Sequence, residues 1–149
     1  SYCGATPHFV DVDLRRMTVS AEFLDEYLES ISTVNNGICI NNATGSVIRA
    51  MITMHTFGHP ADLDGLQRVA QKYGLVMIED AAESLGSWYK GRHTGTVGKC
   101  GALSFNGNKI ITTGGGGAVI TDDEKLAQKL KHLSIQPYGK STATPPTRK

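Results

Sequence analysis

Cysteine is scarce: three residues in a chain of 149. Cys3, Cys39 and Cys100 are odd in number and widely spaced, so they supply neither a disulfide framework nor a zinc ligand pattern. They read as reduced thiols of a cytoplasmic protein. An excess of one charge is also lacking. Fifteen Lys and Arg stand against fourteen Asp and Glu, for a formal net charge of +1. That balance gives no electrostatic footprint for nucleic acid or for an anionic membrane. Long apolar runs are missing too. The longest apolar-rich stretch, Val47 to Phe57, contains Arg49 and His55 and falls well short of the roughly 20 residues a spanning helix needs. The opening residues do not spell a secretory leader. The sequon Asn42-Ala43-Thr44 is discounted on that ground.

Nucleotide signatures are absent as well. Gly98-Lys99-Cys100 lacks both the first glycine and the hydroxyl of a phosphate loop, and Gly107-Asn108-Lys109 does not fit either. Gly95, Gly98 and Gly101 recur at three-residue spacing but open no helix, unlike the dinucleotide fingerprint. His55 and His59 have the spacing of a helical zinc pair, yet Gly58 and Pro60 argue against a helix there. His55 reads instead as a strand-end histidine bonded to backbone.

Glycine, by contrast, is plentiful, with 17 residues. Four stand together at Gly114 to Gly117, just after Ser104-Phe105-Asn106-Gly107-Asn108-Lys109. A glycine run costs backbone entropy and implies positive φ or close approach of another group. A lysine held beside such a run is a candidate for amine chemistry.

Periodicity organises the rest. His8 to Val12 reads as a strand. Ser20 caps a helix to about Ile31, with Phe23, Leu24, Tyr27, Leu28 and Ile31 on one face. Asn35-Asn36-Gly37 and Asn41 to Gly45 mark turns around a short strand, Ile38 to Ile40. Val47 to Thr56 suits a strand buried on both faces. Asp62 caps a helix from Leu63 to Tyr73, facing inward with Leu63, Leu66, Ala70 and Tyr73, and Gly74 ends it. Leu75 to Ile78 is a buried strand leading to Glu79-Asp80, followed by a helical turn from Ala81 to Leu85. Trp88 to Gly101 is a loop with strand-like pieces. Ala102 to Phe105 and Ala118 to Ile120 are strands. Thr121 to Glu124 has a capping-box pattern opening a helix with Leu126, Leu130 and Leu133 on one face.

Strands alternating with helices predict an α/β fold with a mainly parallel sheet and flanking helices. Ligand residues in such sheets gather past the carboxyl ends of the strands. The candidate loops are His55 to His59, Asp80 to Ser84 and Ser104 to Gly117. Asp80 alone reads as a helix cap, Glu83 as a surface acid, Ser104 as a hydroxyl bonded to a carbonyl, and Lys109 as a loop lysine. Together they match what pyridoxal 5'-phosphate (PLP) requires. An acid keeps the pyridine nitrogen protonated, a hydroxyl binds phosphate, and a lysine joins the aldehyde.

Ile78-Glu79-Asp80-Ala81-Ala82-Glu83-Ser84-Leu85-Gly86, Tyr89-Lys90-Gly91, Gly95-Thr96-x-Gly98 and Ser104-Phe105-x-x-x-Lys109-x-x-Thr112-Thr113-Gly114 occur in this order. Phe9 to Asp13 and His55-x-x-Gly58 precede them. The series, from about Pro7 to Leu133, resembles the PLP-dependent nucleotide-sugar aminotransferases, the DegT/DnrJ/EryC1/StrS family. The resemblance implies part of a fold type I large domain over residues 1–135; residues 136–149, rich in Thr, Pro and Lys from Gly139 on, read by composition as a flexible tail. It implies PLP as cofactor, with Lys109 as the Schiff-base lysine and proton shuttle, Asp80 at the pyridinium nitrogen and Ser104 at the phosphate. Glu83 stands where many members have Gln or His beside the phenolic oxygen, and Gly115 where many have Glu.

The activity implied is transamination. An amino-acid donor such as glutamate gives its amino group to the cofactor, and a nucleotide-linked keto-deoxy sugar takes it. A homodimer is implied too, because family sites form between subunits. Members are considerably longer, so the expectation is a central part of the large domain. The alternative is a truncated, non-catalytic fold remnant that self-associates. A desulfurase or lyase is a weaker alternative, since no cysteine lies in a catalytic-looking loop.

Overall fold

A computed structural model describes residues 4–135. The expected tail, 136–149, lies outside the described residues. Helix α1 (Ala21–Ile31) begins as its sequence dictates: the Ser20 side chain accepts a hydrogen bond from the Phe23 N–H. Of its apolar face, Leu24 and Leu28 are buried, whereas Phe23 and Tyr27 are exposed. The chain then turns at once into β1 (Ser32–Asn35), which pairs with β2 (Ile38–Asn41). Asn36 and Gly37 both have positive φ, 49° and 76°, as a two-residue type I′ hairpin demands.

The expected strand Val47 to Thr56 is split. Val47–Ile48 forms β3, antiparallel to β2, while Ala50–Met54 forms β4 in another sheet. The two halves pair with different partners, so one apolar run serves two sheets. Nor is β4 buried on both faces. Thr53 is fully buried, but Ala50, Ile52 and Met54 are exposed. The expected strand His8 to Val12 does not form. Its alternation meets no partner strand among the described residues, and the segment is held through side chains further on. Thr18 Oγ1 donates to the Met54 carbonyl at 2.7 Å, and Thr56 Oγ1 to the Met17 carbonyl at 2.7 Å.

After β4 come one 3-10 turn (Thr56–Gly58) and α2 (Leu63–Tyr73). Asp62 caps α2 by accepting from the Gly65 N–H, and Gly74 ends it at φ 66°. A Cβ at Gly74 would stand 2.2 Å from the Gly37 carbonyl oxygen, so this glycine also locks the helix end onto the β1–β2 turn. Leu63, Leu66, Val69, Ala70 and Tyr73 bury the inner face of α2 against Leu24, Leu28, Cys39, Ala61 and Met77. This cluster is the core.

The main sheet runs β4-β5-β8-β9, with β5 at Val76–Asp80, β8 at Cys100–Ser104 and β9 at Gly117–Ile120. Strands β4, β5 and β8 are parallel, and β9 runs antiparallel to β8. The sheet is mainly parallel, as the alternation of elements predicts. Strand β9 departs because the segment joining it to β8 contains no helix to carry the chain back across the sheet. Between β5 and β8, β6 (Trp88–Tyr89) and β7 (Arg92–His93) form a small hairpin. Helix α3 (Glu124–Ile135) follows β9. Asp123, rather than Thr121, caps it, accepting from the Leu126 N–H at 3.0 Å, while Thr121 Oγ1 accepts from the Asp123 N–H.

Strand alternation sorts the sheet into two faces. Met51, Thr53, Met77 and Glu79 point to the core side. Ala50, Ile52, Met54, Val76, Ala102 and Val119 point the other way and are exposed.

Candidate active site

Asp80 ends β5 and Ser104 ends the neighbouring parallel strand β8. The register pairs Asp80 with Ala102, so Ser104, two residues on, shares the face of Asp80 one strand over. Both carry their polar atoms past the carboxyl ends of parallel strands. Asp80 Oδ1 accepts from the Ala82 N–H at 3.1 Å, which starts the turn that follows. The Ser84 N–H closes that turn onto the Ala81 carbonyl at 3.1 Å. Ser104 Oγ accepts from the Asn106 N–H at 3.4 Å, leaving its own hydrogen to donate elsewhere.

The turn brings Glu83 to Lys109. Lys109 Nζ lies 3.5 Å from Glu83 Oε1, and the lysine side chain is only 17% exposed against 34% for the glutamate. The other carboxylate oxygen, Oε2, accepts from the Phe57 N–H at 2.9 Å. Phe57 holds a positive φ of 53°, an uncommon conformation for a residue with a side chain. Glu83 thus joins the loop after β4 to the loop after β8. Of the four residues picked out from sequence, the structure pairs Glu83 with Lys109 and sets Asp80 and Ser104 on one face of adjacent strands. No hydrogen bond or ion pair among the described residues joins Lys109 to Asp80 or Ser104.

The loop bearing Lys109 is closed by its own backbone. Phe105 N–H donates to the Gly116 carbonyl, Thr113 N–H to the Phe105 carbonyl and Lys109 N–H to the Asn106 carbonyl, each at 3.0 Å. The glycine run meets the expectation at three of its four positions: Gly114 and Gly116 hold positive φ, 81° and 100°, and Gly117 is closely approached. A Cβ at Gly117 would lie 2.5 Å from the Leu103 carbonyl oxygen, whereas Gly115 faces open space.

Beneath this surface lies a pair that periodicity alone did not single out. His55 Nε2 is 2.9 Å from Glu79 Oε2, and both side chains are fully buried. His55 Nδ1 accepts from the Ala61 N–H at 3.1 Å, so the ring carries its proton on Nε2 and donates it to Glu79. Three backbone N–H groups complete the glutamate: Gly95 on Oε2, and Val97 and Gly98 on Oε1. Burial pushes the Glu79 carboxyl up, but the His55 hydrogen bond and the three amides outweigh it and hold it below the usual carboxylate range. A signal was present. Adjacent acids on one strand must face opposite ways, so Glu79 and Asp80 cannot both point to the site.

The structure is a mainly parallel α/β sheet with a shielded lysine, an acid and a hydroxyl past the carboxyl ends of its strands, where such sheets gather ligand residues. The chain belongs to the DegT/DnrJ/EryC1/StrS aminotransferase family, whose model matches residues 1–146. It is similar to the GDP-perosamine synthase of Caulobacter vibrioides, at 39% identity over 133 residues, covering 89% of this chain and 32% of that protein. It therefore spans about a third of that relative's length. Among solved structures, a DegT DnrJ EryC1 StrS aminotransferase from Brucella abortus superposes with a TM-score of 0.78 at 30% identity, covering 95% of this chain and 36% of that one. The GDP-4-keto-6-deoxy-D-mannose-3-dehydratase of E. coli, solved with bound hydrated PLP, superposes at 0.66 and 26% identity, covering 83% and 28%.

Proposed function

We propose that the chain carries the cofactor-bearing centre of a PLP-dependent aminotransferase acting on a nucleotide-linked keto-deoxy sugar, with an amino acid such as glutamate as donor. The observation that carries this reading is the shielded Lys109 beside Glu83, with Asp80 and Ser104 on one face of adjacent strands. The donor set fits the cofactor. Lys109 offers the amine for its aldehyde, Asp80 the acid for its ring nitrogen, and Ser104 a hydroxyl hydrogen for its phosphate.

When bound, PLP supplies an electron sink for the carbon that loses its proton. Lys109 moves that proton at Nζ. Asp80 keeps a proton on the ring nitrogen, so the sink stays electron-poor. Glu83 brings a carboxylate beside Nζ and orients the lysine, while its other oxygen keeps Phe57 in place. The nucleotide-sugar substrate is supported by the GDP-linked names of two of the relatives. A cytoplasmic homodimer, in which a second copy helps complete the site, belongs to the same proposal. No helix among the described residues is long and apolar enough to cross a membrane.

A second reading is favoured by the exposed sheet face at Ile52, Val76, Ala102 and Val119. Parallel sheets are ordinarily covered on both sides. On this reading the chain is a non-catalytic remnant that self-associates. One experiment separates the two. PLP is added to the purified chain, reduced with borohydride, and the modified residue is mapped by mass spectrometry. Label on Lys109 that Lys109→Ala abolishes, with pyridoxamine phosphate formed on adding glutamate, supports the enzyme. Label scattered over surface lysines sinks it.

A further inference from the structure

Glu79 accepts four hydrogen bonds, from His55 Nε2 at 2.9 Å, Gly95 N–H at 2.8 Å, Val97 N–H at 2.7 Å and Gly98 N–H at 2.5 Å. Its partners come from separate parts of the chain. His55 follows β4, and its own N–H donates to the Asp80 carbonyl at 3.0 Å. Two residues later the Phe57 N–H reaches Glu83. Gly95 to Gly98 lead into β8, which ends at Ser104, and the Lys99 N–H donates to the Met77 carbonyl at 2.8 Å. The approach at Gly98 is close enough that a Cβ there would stand 2.7 Å from the Met77 carbonyl oxygen. An apolar side chain at 79 would fill the same space but leave the buried His55 and Gly95 donors, and the part-buried Val97 and Gly98 amides, without an acceptor. Packing therefore does not explain the residue, and its connections do.

We propose that Glu79, with His55, is the positioning unit of the Lys109 site: its carboxylate ties the loop after β4, the end of β5 and the loop entering β8 into one body. Asp80 ends β5, Glu83 lies in the turn just after it and is bonded to Phe57 of the loop after β4, and Ser104 ends the strand that the third segment enters, so the three keep their mutual placement through it. This rests on the PLP reading for its consequence, though not for its geometry. A misplacement of about 1 Å in such a site is enough to cost on the order of a hundredfold in function.

The test uses the 149-residue chain and its variants Glu79→Gln, His55→Ala and His55→Gln, the last retaining an amide that can donate to Glu79. One readout is borohydride-trapped PLP at Lys109. The other is the NMR shifts of the Asp80 carboxyl carbon and the Ala82 and Phe57 amides, with circular dichroism to establish folding. The expected result is a loss of Lys109 label of about tenfold or more in Glu79→Gln and His55→Ala. Asp80, Ala82 and Phe57 shifts move in the same variants, and His55→Gln reverses both effects. Folded variants with wild-type label and unmoved Asp80 and Ala82 signals overturn the proposal. If Glu79→Gln does not fold, the two His55 variants decide on the same criteria. If the wild-type chain takes no label at Lys109, the cofactor reading falls by itself. The positioning role is then decided by the shifts alone: movement in His55→Ala that His55→Gln reverses supports it, and no movement overturns it.

Discussion

His55 and Glu79 meet 2.9 Å apart with neither side chain in contact with water. The pair is a hydrogen bond from a ring proton to a carboxylate, embedded in a shell of backbone donors. Removing the carboxylate alone, in Glu79→Leu, orphans the imidazole proton and three amides. That should cost about 3–5 kcal/mol in a urea denaturation series. The His55→Leu, Glu79→Leu double variant should cost less than the two single losses added together, because each single change strands the other partner. Strict additivity would show that the two side chains do not act as a unit.

Acid should weaken the fold through the same carboxylate. Glu79 titrates below its ordinary value of 4.5 in the folded chain, because its hydrogen bonds outweigh the burial that pushes it up. The unfolded chain therefore takes up the proton first as pH falls. The contribution of Glu79 is complete above about 4.5 and is lost as pH drops through the lowered folded value. Chemical denaturation midpoints of wild type and Glu79→Gln measured from pH 7 to pH 3 should converge toward the acid end. A constant gap across that range would contradict the assignment.

The bare face of the main sheet gives a prediction about the isolated chain. Ile52 is 66% exposed and Val119 is 51% exposed. Replacing both with lysine removes little burial, so stability should shift by no more than about 0.5 kcal/mol at each site. Association should fall, because an exposed apolar patch promotes self-contact and a charge opposes it. Sedimentation velocity and binding of a hydrophobic dye, compared between wild type and the Ile52→Lys, Val119→Lys variant, check this. Equal association in both would place the contact elsewhere.

Local signals carried most of the fold. Ser20, Asp62 and Gly74 mark helix ends through capping groups that lie within a few residues, so α1 and α2 were legible. So was β5, a short apolar run ending in acids. Partner choice is not local, and there the sequence was silent. Nothing within Val47 to Thr56 says that Val47–Ile48 pairs with β2 and Ala50–Met54 with β5. Nothing in Ala118 to Ile120 says that β9 runs antiparallel, since that depends on the segment before it. His8 to Val12 alternates like a strand but has no neighbour to pair with among the described residues. The site divides in the same way. Lys109, Asp80, Glu83 and Ser104 each read blandly alone and stood out only as a set past two strand ends and through the family resemblance. Glu79 did not, because its role comes from amides of Gly95 to Gly98 that only the folded chain brings to it.

Glu83 holds Phe57 in its positive-φ conformation, and the two functions of its carboxylate can be separated. Oε2 accepts from the Phe57 N–H at 2.9 Å, while Oε1 faces Lys109 Nζ at 3.5 Å. The glutamine variant keeps an acceptor for the amide but loses the charge opposite the lysine. The alanine variant loses both. The ion pair is partly exposed and long, so its loss in Glu83→Gln should change stability by less than about 1 kcal/mol. Glu83→Ala also frees a backbone conformation that costs on the order of 1–3 kcal/mol to hold, so Phe57 should relax. Amide exchange at Phe57 should therefore stay slow in Glu83→Gln and speed up in Glu83→Ala. Fast exchange in both variants would mean that the carboxylate charge, and not the acceptor alone, fixes the loop after β4 against Lys109.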